Sequence, residues 1–213
     1  MADGYQEWVG LWPYAVLMVV VASWALYHFL APASWRDWAG AGLTQAFIIA
    51  LYAEMYGFPL TIYVLTGLLG IEIPLVHYSG HLWATLLGYG RVGTVAEMML
   101  GYAFVMAGVV LIAKGWARVH FAGGHLVQDG VYSVVRHPQY TGIFLAVLGQ
   151  LVHWPTIPTL ALAPFIVWLY VRLARREEAR LVEKFGEAYR DYRRRVPMFL
   201  PRWREVAAGV ELR

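Results

Sequence analysis

The sequence predicts an all-α integral membrane protein that crosses the bilayer with about five helices and ends in an amphipathic cytoplasmic helix. Hydrophobic residues make up 60% of the 213 positions and charged residues only 15%, whereas soluble domains carry about 25% charged residues. The chain contains no cysteine, which excludes a disulfide framework, a thiolate nucleophile and a cysteine-ligated metal. The length is therefore better divided into membrane spans than into soluble domains.

The first two apolar stretches cover residues 11–30 and 43–71. The first has about the length that crosses ~30 Å of hydrocarbon. Since residues 1–10 contain no Lys or Arg, we interpret it as a retained anchor rather than a secretory signal. The second stretch is long for one span and contains Gly57-Phe58-Pro59 in its middle. Proline inside a helix removes a hydrogen bond and bends the axis, so we predict one tilted, kinked helix rather than two short ones.

Three further apolar stretches follow, at residues 92–113, 140–152 and 157–171. The last two are short and are separated only by residues 153–156, which indicates a tight helical hairpin. We predict two regions: residues 1–91 form N-terminal transmembrane helices and a connecting loop, and residues 92–213 form the functional core. This core would contain a polar loop, the helical hairpin and the C-terminal tail.

The distribution of basic residues orients the predicted spans. Twelve of the 17 Lys and Arg residues follow residue 171, so the positive-inside rule places the C-terminal tail in the cytoplasm. Counting back through five spans places the polar loop at residues 114–139 inside, and the N-terminus and residues 72–90 outside. Only Arg91 falls on the wrong side. We therefore expect a cytoplasmic or inner membrane protein whose active site faces the cytoplasm.

The tail has a helical apolar pattern. Leu181, Phe185, Ala188 and Tyr192 recur at helical spacing among acidic and basic residues, which predicts an amphipathic helix that continues from the fifth span or lies against the bilayer. Pro197 then ends helical structure. Such a basic tail also suits contact with membrane lipids that carry anionic headgroups.

Residues 123–142 combine glycines with polar side chains at the edge of the predicted membrane. Pro138 suits the first position of a helix, and the free N–H groups of a first turn offer a site for a carboxylate or phosphate. Arg136 would strengthen anion binding through a charge-assisted pair. Ionisable residues at this depth indicate function, although composition alone is also consistent with an ordinary cytoplasmic loop.

Two other polar groups need interpretation. Glu177-Glu178 is compatible with a solvated helix face, but it lies just past a span on the side of Arg136. A carboxylate there could take up the amine of a zwitterionic cofactor. His77 and His81 are spaced i,i+4, but no acidic residue lies beside them as in metal-binding helices. We interpret them as interfacial histidines and predict no metal site.

The two polar clusters resemble the signature of a known family. Residues 124–132 read Gly-His-Leu-Val-Gln-Asp-Gly-Val-Tyr, and residues 136–142 read Arg-His-Pro-Gln-Tyr-Thr-Gly. Glu177-Glu178, Lys184-Phe185-Gly186 and Arg195-Val196-Pro197 follow in the tail. These motifs resemble the isoprenylcysteine carboxyl methyltransferase family and, more loosely, the related phospholipid methyltransferases. The resemblance runs from about residue 92 onward.

The resemblance implies an integral membrane enzyme that uses S-adenosylmethionine. In this family the cofactor lies in a pocket closed by the last hairpin and the C-terminal segment, and the substrate enters from the bilayer. The positions that match the motif or flank it are the predicted cofactor-binding residues, together with the anion-binding Arg136: Gly124, His125, Leu126, Val127, Tyr132, Arg136, His137, Pro138, Tyr140 and Glu177.

Methyl transfer from a sulfonium is an in-line displacement that needs a well-placed acceptor and no water. An amine acceptor would also need deprotonation, in which Glu178 or a tyrosine could assist. We hypothesise that Arg172 or Arg176 holds the polar head of the acceptor. The eukaryotic prenylcysteine enzymes have Arg four residues before the matching Glu, where this chain has Leu173, so the substrate stays open.

Three functions remain in competition at this point. The favoured one is a methyltransferase that acts on a lipophilic acceptor from the bilayer: a prenylcysteine-like carboxylate, a phospholipid amine or a hydrophobic thiol. The second is an NADPH-dependent membrane reductase of sterol-reductase-like architecture, against which the short N-terminal half argues. The third is a non-catalytic membrane scaffold. Nothing in the sequence indicates nucleic-acid binding, and the oligomeric state is open.

Overall fold

The computed structural model describes residue 8 and residues 10–30, 35–74 and 76–202, whose regular secondary structure is helical with no β-strand. The α-helices of this part of the chain are α1 (Trp12–Leu30), α2 (Trp35–Tyr56), α3 (Leu60–Gly67), α4 (Leu82–Leu86), α5 (Gly90–His120), α6 (Pro138–His153), α7 (Ile157–Phe185) and α8 (Glu187–Arg195). Short 3-10 helices cover His77–Gly80 and Gly130–Ser133. The all-α class is confirmed.

Three of these helices are long and apolar enough to cross a membrane, namely α1, α5 and α7. A fourth span exists if the bent pair α2 and α3 counts as one. Helix α6 has only 16 residues, so the predicted number of five spans is not confirmed. The orientation stays a prediction, and residues 1–7, Arg204 and Arg213, on which it partly rests, lie outside the described residues.

The prediction of one kinked helix at residues 43–71 is wrong, because α2 ends at Tyr56, α3 begins at Leu60 and their axes differ by 69°. Pro59 has no N–H to continue the hydrogen-bond ladder. The carboxylate of Glu54 instead accepts a hydrogen bond from the Thr61 backbone N–H at 2.8 Å. This contact satisfies one of the free donors that every new helix start exposes.

Of the described residues, those up to residue 105 and residues 147–168 form one compact unit, and residues 106–146 and 169–202 form the other. The predicted division at residue 91 stays a prediction.

In the first unit, His81 is buried and its Nδ1 lies 3.6 Å from Oε2 of Glu97. Burial lowers the pKa of His81. Among the described residues no group of three or more His, Cys, Asp or Glu side chains is arranged to hold a metal ion.

In the second unit, α5 and α6 pack closely through facing glycines. A Cβ on Gly142 would lie 2.5 Å from the carbonyl oxygen of Gly108, and one on Gly115 would lie 2.9 Å from Cγ of Gln139. Small residues allow helix backbones to approach in this way. The close contact at Gly115 lies beside Pro138, the first residue of α6, and therefore fixes where the loop between α5 and α6 ends.

Candidate active site

The loop between α5 and α6 is shaped by glycines and held by the C-terminal segment. Gly123 and Gly124 have φ angles of 58° and 86°, which a residue without Cβ adopts readily, and they turn the chain after α5. At the other end, the N–H groups of Arg136 and His137 donate to the carbonyl oxygens of Pro197 and Met198 at 2.9 and 3.1 Å. The segment after α8 thus covers the start of α6.

One face of α7 meets this loop. Glu177, Leu181 and Lys184 are spaced i, i+4 and i+7, so they project from the same side of the helix. Gly186 then breaks the helix with a φ of 57°, and α8 begins at Glu187. Tyr189 and Tyr192 are one turn apart on α8, and both are buried while the neighbouring arginines are exposed.

These elements enclose a cavity of about 210 Å³. Its wall combines a carboxylate, basic side chains, tyrosines and apolar side chains. The lining residues are Val119, Ala122, Gly124, His125, Leu126, Val127, Tyr132, Arg136, His137, Gln139, Tyr140, Glu177, Leu181, Lys184, Phe185, Tyr189 and Tyr192.

Arg136 and His137 join the loop to the paired glutamates of α7. Nε of Arg136 donates to Oε1 of Glu178 at 2.7 Å, and Nη1 donates to the backbone carbonyls of Arg193 and Val196. The imidazole of His137 lies between the two carboxylates, with Nδ1 3.5 Å from Oε2 of Glu177 and Nε2 3.3 Å from Oε1 of Glu178. The guanidinium is therefore already occupied by groups of this chain.

The pKa of His137 results from two opposing effects. Burial lowers it, because the charged imidazolium loses its hydration. Hydrogen bonds and negative charge from Glu177 and Glu178 outweigh this loss, and the net pKa is raised above its ordinary value of 6.5. The two carboxylates thus favour the protonated form of His137.

Three tyrosines of the cavity stay neutral. Burial raises the pKa of Tyr132, Tyr189 and Tyr192 well above the ordinary 10.0, and nearby carboxylates or phenols raise it further. The hydroxyl of Tyr192 donates to the carbonyl oxygen of Tyr132 at 2.7 Å. A neutral phenol is a donor and an acceptor, so these residues supply polar contacts without charge.

The structure brings together nine of the ten predicted cofactor-binding residues in the cavity wall. The tenth, Pro138, is fully buried and starts α6 beside Gly115. The three predicted catalytic residues are not in the wall. Glu178 is the buried partner of Arg136, Arg172 is exposed and Arg176 is half-buried on α7. Their predicted roles in the reaction stay predictions.

Several residues that line the cavity were not predicted from the sequence to belong to the site. Lys184 reaches the cavity, and its Nζ donates to the carbonyl oxygen of Gly124 at 3.3 Å. Tyr189 and Tyr192 of α8 also line the cavity, although the sequence places Tyr192 only in the apolar pattern of the tail. The spacing of seven residues between Glu177 and Lys184, two helical turns, was a usable signal, because it places both charges on one face of α7.

Together, the apolar spans and the charged cavity define a polytopic helical membrane protein with a polar site in its second compact unit. Residues 89–188 match the family described as phospholipid methyltransferase. The predicted resemblance to the isoprenylcysteine carboxyl methyltransferases and their phospholipid methyltransferase relatives is thereby confirmed over this segment.

Individual relatives agree with the family match. The chain is 38% identical over 77 residues to protein-S-isoprenylcysteine O-methyltransferase of Schizosaccharomyces pombe, covering 36% of this chain and 33% of that protein. It is 39% identical over 77 residues to methanethiol S-methyltransferase 2 of Bradyrhizobium diazoefficiens, covering 34% of this chain and 27% of that protein. It is 30% identical over 123 residues to the cobalt-zinc-cadmium resistance protein CzcN of Cupriavidus metallidurans, covering 55% and 56%.

The matched segment covers about a third of the isoprenylcysteine O-methyltransferase of Schizosaccharomyces pombe and about half of CzcN. No solved structure matches this chain.

Proposed function

We propose that this protein is an integral membrane methyltransferase that transfers a methyl group from S-adenosylmethionine to a lipophilic acceptor. The proposal rests on one observation. Two motifs that are 41 residues apart in the sequence meet where His137 contacts Glu178, beside a cavity whose wall carries charges of both signs. Relatives named as O-methyltransferases and an S-methyltransferase support the same reaction class.

The donor set of the cavity fits a zwitterionic cofactor. Glu177 offers a half-exposed carboxylate to the amine of the cofactor. Lys184 provides a cation two helical turns away on the same face of α7. Arg136 already donates from Nε to Glu178 and from Nη1 to two carbonyl groups. We therefore assign the carboxylate of the cofactor to Lys184, and we assign to Arg136 the task of holding the loop and the C-terminal segment together.

The apolar part of the wall suits the adenosyl group. Leu126, Leu181 and Phe185 pack beside the buried Tyr189 and Tyr192, and they form a wall against which a planar aromatic ring would be buried. Backbone groups at Gly124 are accessible, because a Cβ there would meet nothing within 4 Å. Polar contacts at one end and apolar contacts at the other are typical of small-molecule sites.

When bound, S-adenosylmethionine supplies an activated methyl group on a sulfonium for in-line displacement. The residues of this chain position the acceptor and exclude water, because displacement needs the acceptor at about 3–3.5 Å from the methyl group and no competing water. Glu178 is buried and contacts both Arg136 and His137, so its carboxylate is suited to orienting those two side chains. If an amine is the acceptor, a proton must leave it, and the assistance of Glu178 or a tyrosine stays a hypothesis.

The acceptor comes from the bilayer in this proposal, because an apolar molecule concentrates there, whereas the charged cofactor enters from water. A prenylcysteine-like carboxylate, a phospholipid amine and a hydrophobic thiol are the candidate classes. Arg172 or Arg176 would hold the polar head of the acceptor through a charge-assisted pair.

Calorimetry on the purified protein in detergent tests the cofactor. We expect S-adenosylmethionine and S-adenosylhomocysteine to bind, and Glu177→Gln, Lys184→Gln and His137→Ala each to weaken binding. Arg190→Gln, which removes an exposed charge paired with Glu187, is the control. Binding of NADPH instead would favour a reductase, and binding of neither ligand would overturn the proposal. Mass spectrometry of lipid extracts incubated with isotopically labelled cofactor would then identify the acceptor.

A further inference from the structure

A second and larger cavity, of about 770 Å³, lies in the same compact unit. It is formed by the last turns of α5 and the loop after that helix, and it shares Ala122, His125, Leu126 and Val127 with the first cavity. Its volume is within the range of about 300–1,000 Å³ that ligand sites occupy. None of its unshared lining residues has a part in the proposed methyl transfer.

Two basic side chains stand on one face of α5 in this wall. Lys114 and Arg118 are spaced i,i+4, so they are neighbours on the helix surface. Nη1 of Arg118 donates to Oδ2 of Asp129 at 2.6 Å. Its guanidinium also lies against Gly130, where an added Cβ would be 3.2 Å from Nε. Arg118 therefore contacts both its acidic partner and a glycine of the loop.

Lys114 differs from Arg118 in having no such partner. It is exposed and makes no hydrogen bond or ion pair with the residues that the structure describes. Since Asp129 offsets the charge of Arg118, one positive charge remains uncompensated in the cavity wall. His125, which also lines it, places Nδ1 2.9 Å from the carbonyl oxygen of Ala122. The wall thus matches a ligand with one negative charge.

The length of α5 places these residues at the membrane surface. Its 31 residues span about 46 Å at 1.5 Å per residue, whereas the hydrocarbon core is only ~30 Å thick. The end of α5 therefore extends into the headgroup region. Phe121 follows directly with 80% of its surface exposed, and Val131 and Val134 complete an apolar part of the wall. An anionic lipid has a negatively charged headgroup next to apolar acyl chains. Cations beside exposed apolar side chains are complementary to both parts.

We propose that this second cavity binds the headgroup of an anionic phospholipid that is not the methyl acceptor. Lys114 would receive the phosphate through a charge-assisted hydrogen bond, next to the Arg118–Asp129 pair, and Phe121 would contact the start of the acyl chains. A headgroup with one net negative charge fits the single uncompensated cation, whereas the added choline cation of phosphatidylcholine does not. The inference does not depend on the proposed enzymatic activity.

Native mass spectrometry of the full chain released from neutral detergent tests this site. With phosphatidylglycerol added, we expect bound lipid at roughly five-fold lower concentration than with phosphatidylcholine of the same acyl chains. Lys114→Gln should remove most of this preference, and Lys114→Arg should retain it because the charge is kept. Phe121→Ala should weaken long-chain lipid but not a short-chain phosphatidylglycerol. Arg190→Gln is the control, since it removes an exposed charge outside the cavity.

Equal binding of both lipids to the parent protein, or an unchanged preference in Lys114→Gln, would overturn the proposal. Competition by inorganic phosphate at similar concentration would assign the site to free phosphate instead. Calorimetry separates this result from the proposed function, because Lys114→Gln should bind S-adenosylmethionine like the parent protein. If the parent protein binds no cofactor but prefers phosphatidylglycerol, the methyltransferase proposal fails and the lipid site stands.

Discussion

Nε of Arg136 donates to Oε1 of Glu178 at 2.7 Å, and less than a tenth of either side chain is exposed. The pair joins residues 42 positions apart, one in the loop before α6 and one on α7. A buried charge of this kind needs its partner, because removing one leaves the other without hydration or compensation. The pair therefore joins the loop to α7 at the cavity wall, while the half-exposed Glu177 beside it lines the cavity.

Glu178→Ala should destabilise the protein strongly. The substitution leaves the Arg136 guanidinium buried without its carboxylate, and breaking a buried pair in this way costs about 3–5 kcal/mol. We expect a clearly lower melting temperature in detergent. Glu177→Ala is the matched control on the neighbouring residue, and it should weaken cofactor binding with little loss of stability, since exposed pairs contribute about 0–1 kcal/mol. Similar melting temperatures for the two variants would contradict the assignment.

The raised pKa of His137 predicts a pH-dependent contribution to stability. A group whose pKa is higher in the folded state stabilises the fold fully below its unfolded pKa of about 6.5. This contribution is lost as the pH rises through the folded value. The difference in melting temperature between the parent protein and His137→Gln should therefore be larger at about pH 5.5 than at about pH 9. A difference that grows with pH would mean that burial, which lowers the pKa, prevails.

Gly142→Ala should force α5 and α6 apart in the second unit. The added Cβ would lie 2.5 Å from the Gly108 carbonyl oxygen, and overpacking of this kind typically costs about 1–3 kcal/mol. Gly42→Ala is the control, because a Cβ there meets nothing within 4 Å, and alanine favours the helix by up to ~1 kcal/mol. Thermal unfolding should show a decrease for the first variant and no decrease for the second.

Arg172→Ala and Arg176→Ala should lower turnover while cofactor affinity stays close to that of the parent protein. The reason is that both residues lie on α7 outside the wall of the first cavity, so a role at the polar head of the acceptor would not involve the cofactor. Steady-state kinetics with calorimetry separates the two effects. Parental turnover in both variants would exclude this role, and a parallel loss of cofactor affinity would assign the arginines to the cofactor.

The basic tail predicts an N-terminus outside and a C-terminus in the cytoplasm. Reporter fusions at the two ends measure this directly. Two ends on the same side would mean an even number of spans. That is the outcome expected if either α6 or the bent pair α2 and α3, but not both, fails to cross the membrane.

The sequence by itself determined the helical membrane class and most of the cavity wall. Apolar stretches of bilayer length have few alternatives to helices, because backbone groups in lipid must bond within their own segment. The residues from Gly124 to Tyr140 are close in sequence, so a loop keeps them together. Glu177 was found because two charged residues at a membrane edge stand out against their surroundings.

Only the tertiary structure decided what each charge does. Arg136 has the residue type and position of an anion-binding residue, yet its guanidinium is occupied by Glu178 and by carbonyl groups that follow some 60 residues later in the chain. Lys184 reaches the cavity from the same face of α7 as Glu177. The break at Pro59 is likewise supported by Glu54, which caps the next helix. Local patterns specify helices and motifs, but the partners of a buried polar group come from distant segments, and burial makes those partners decisive.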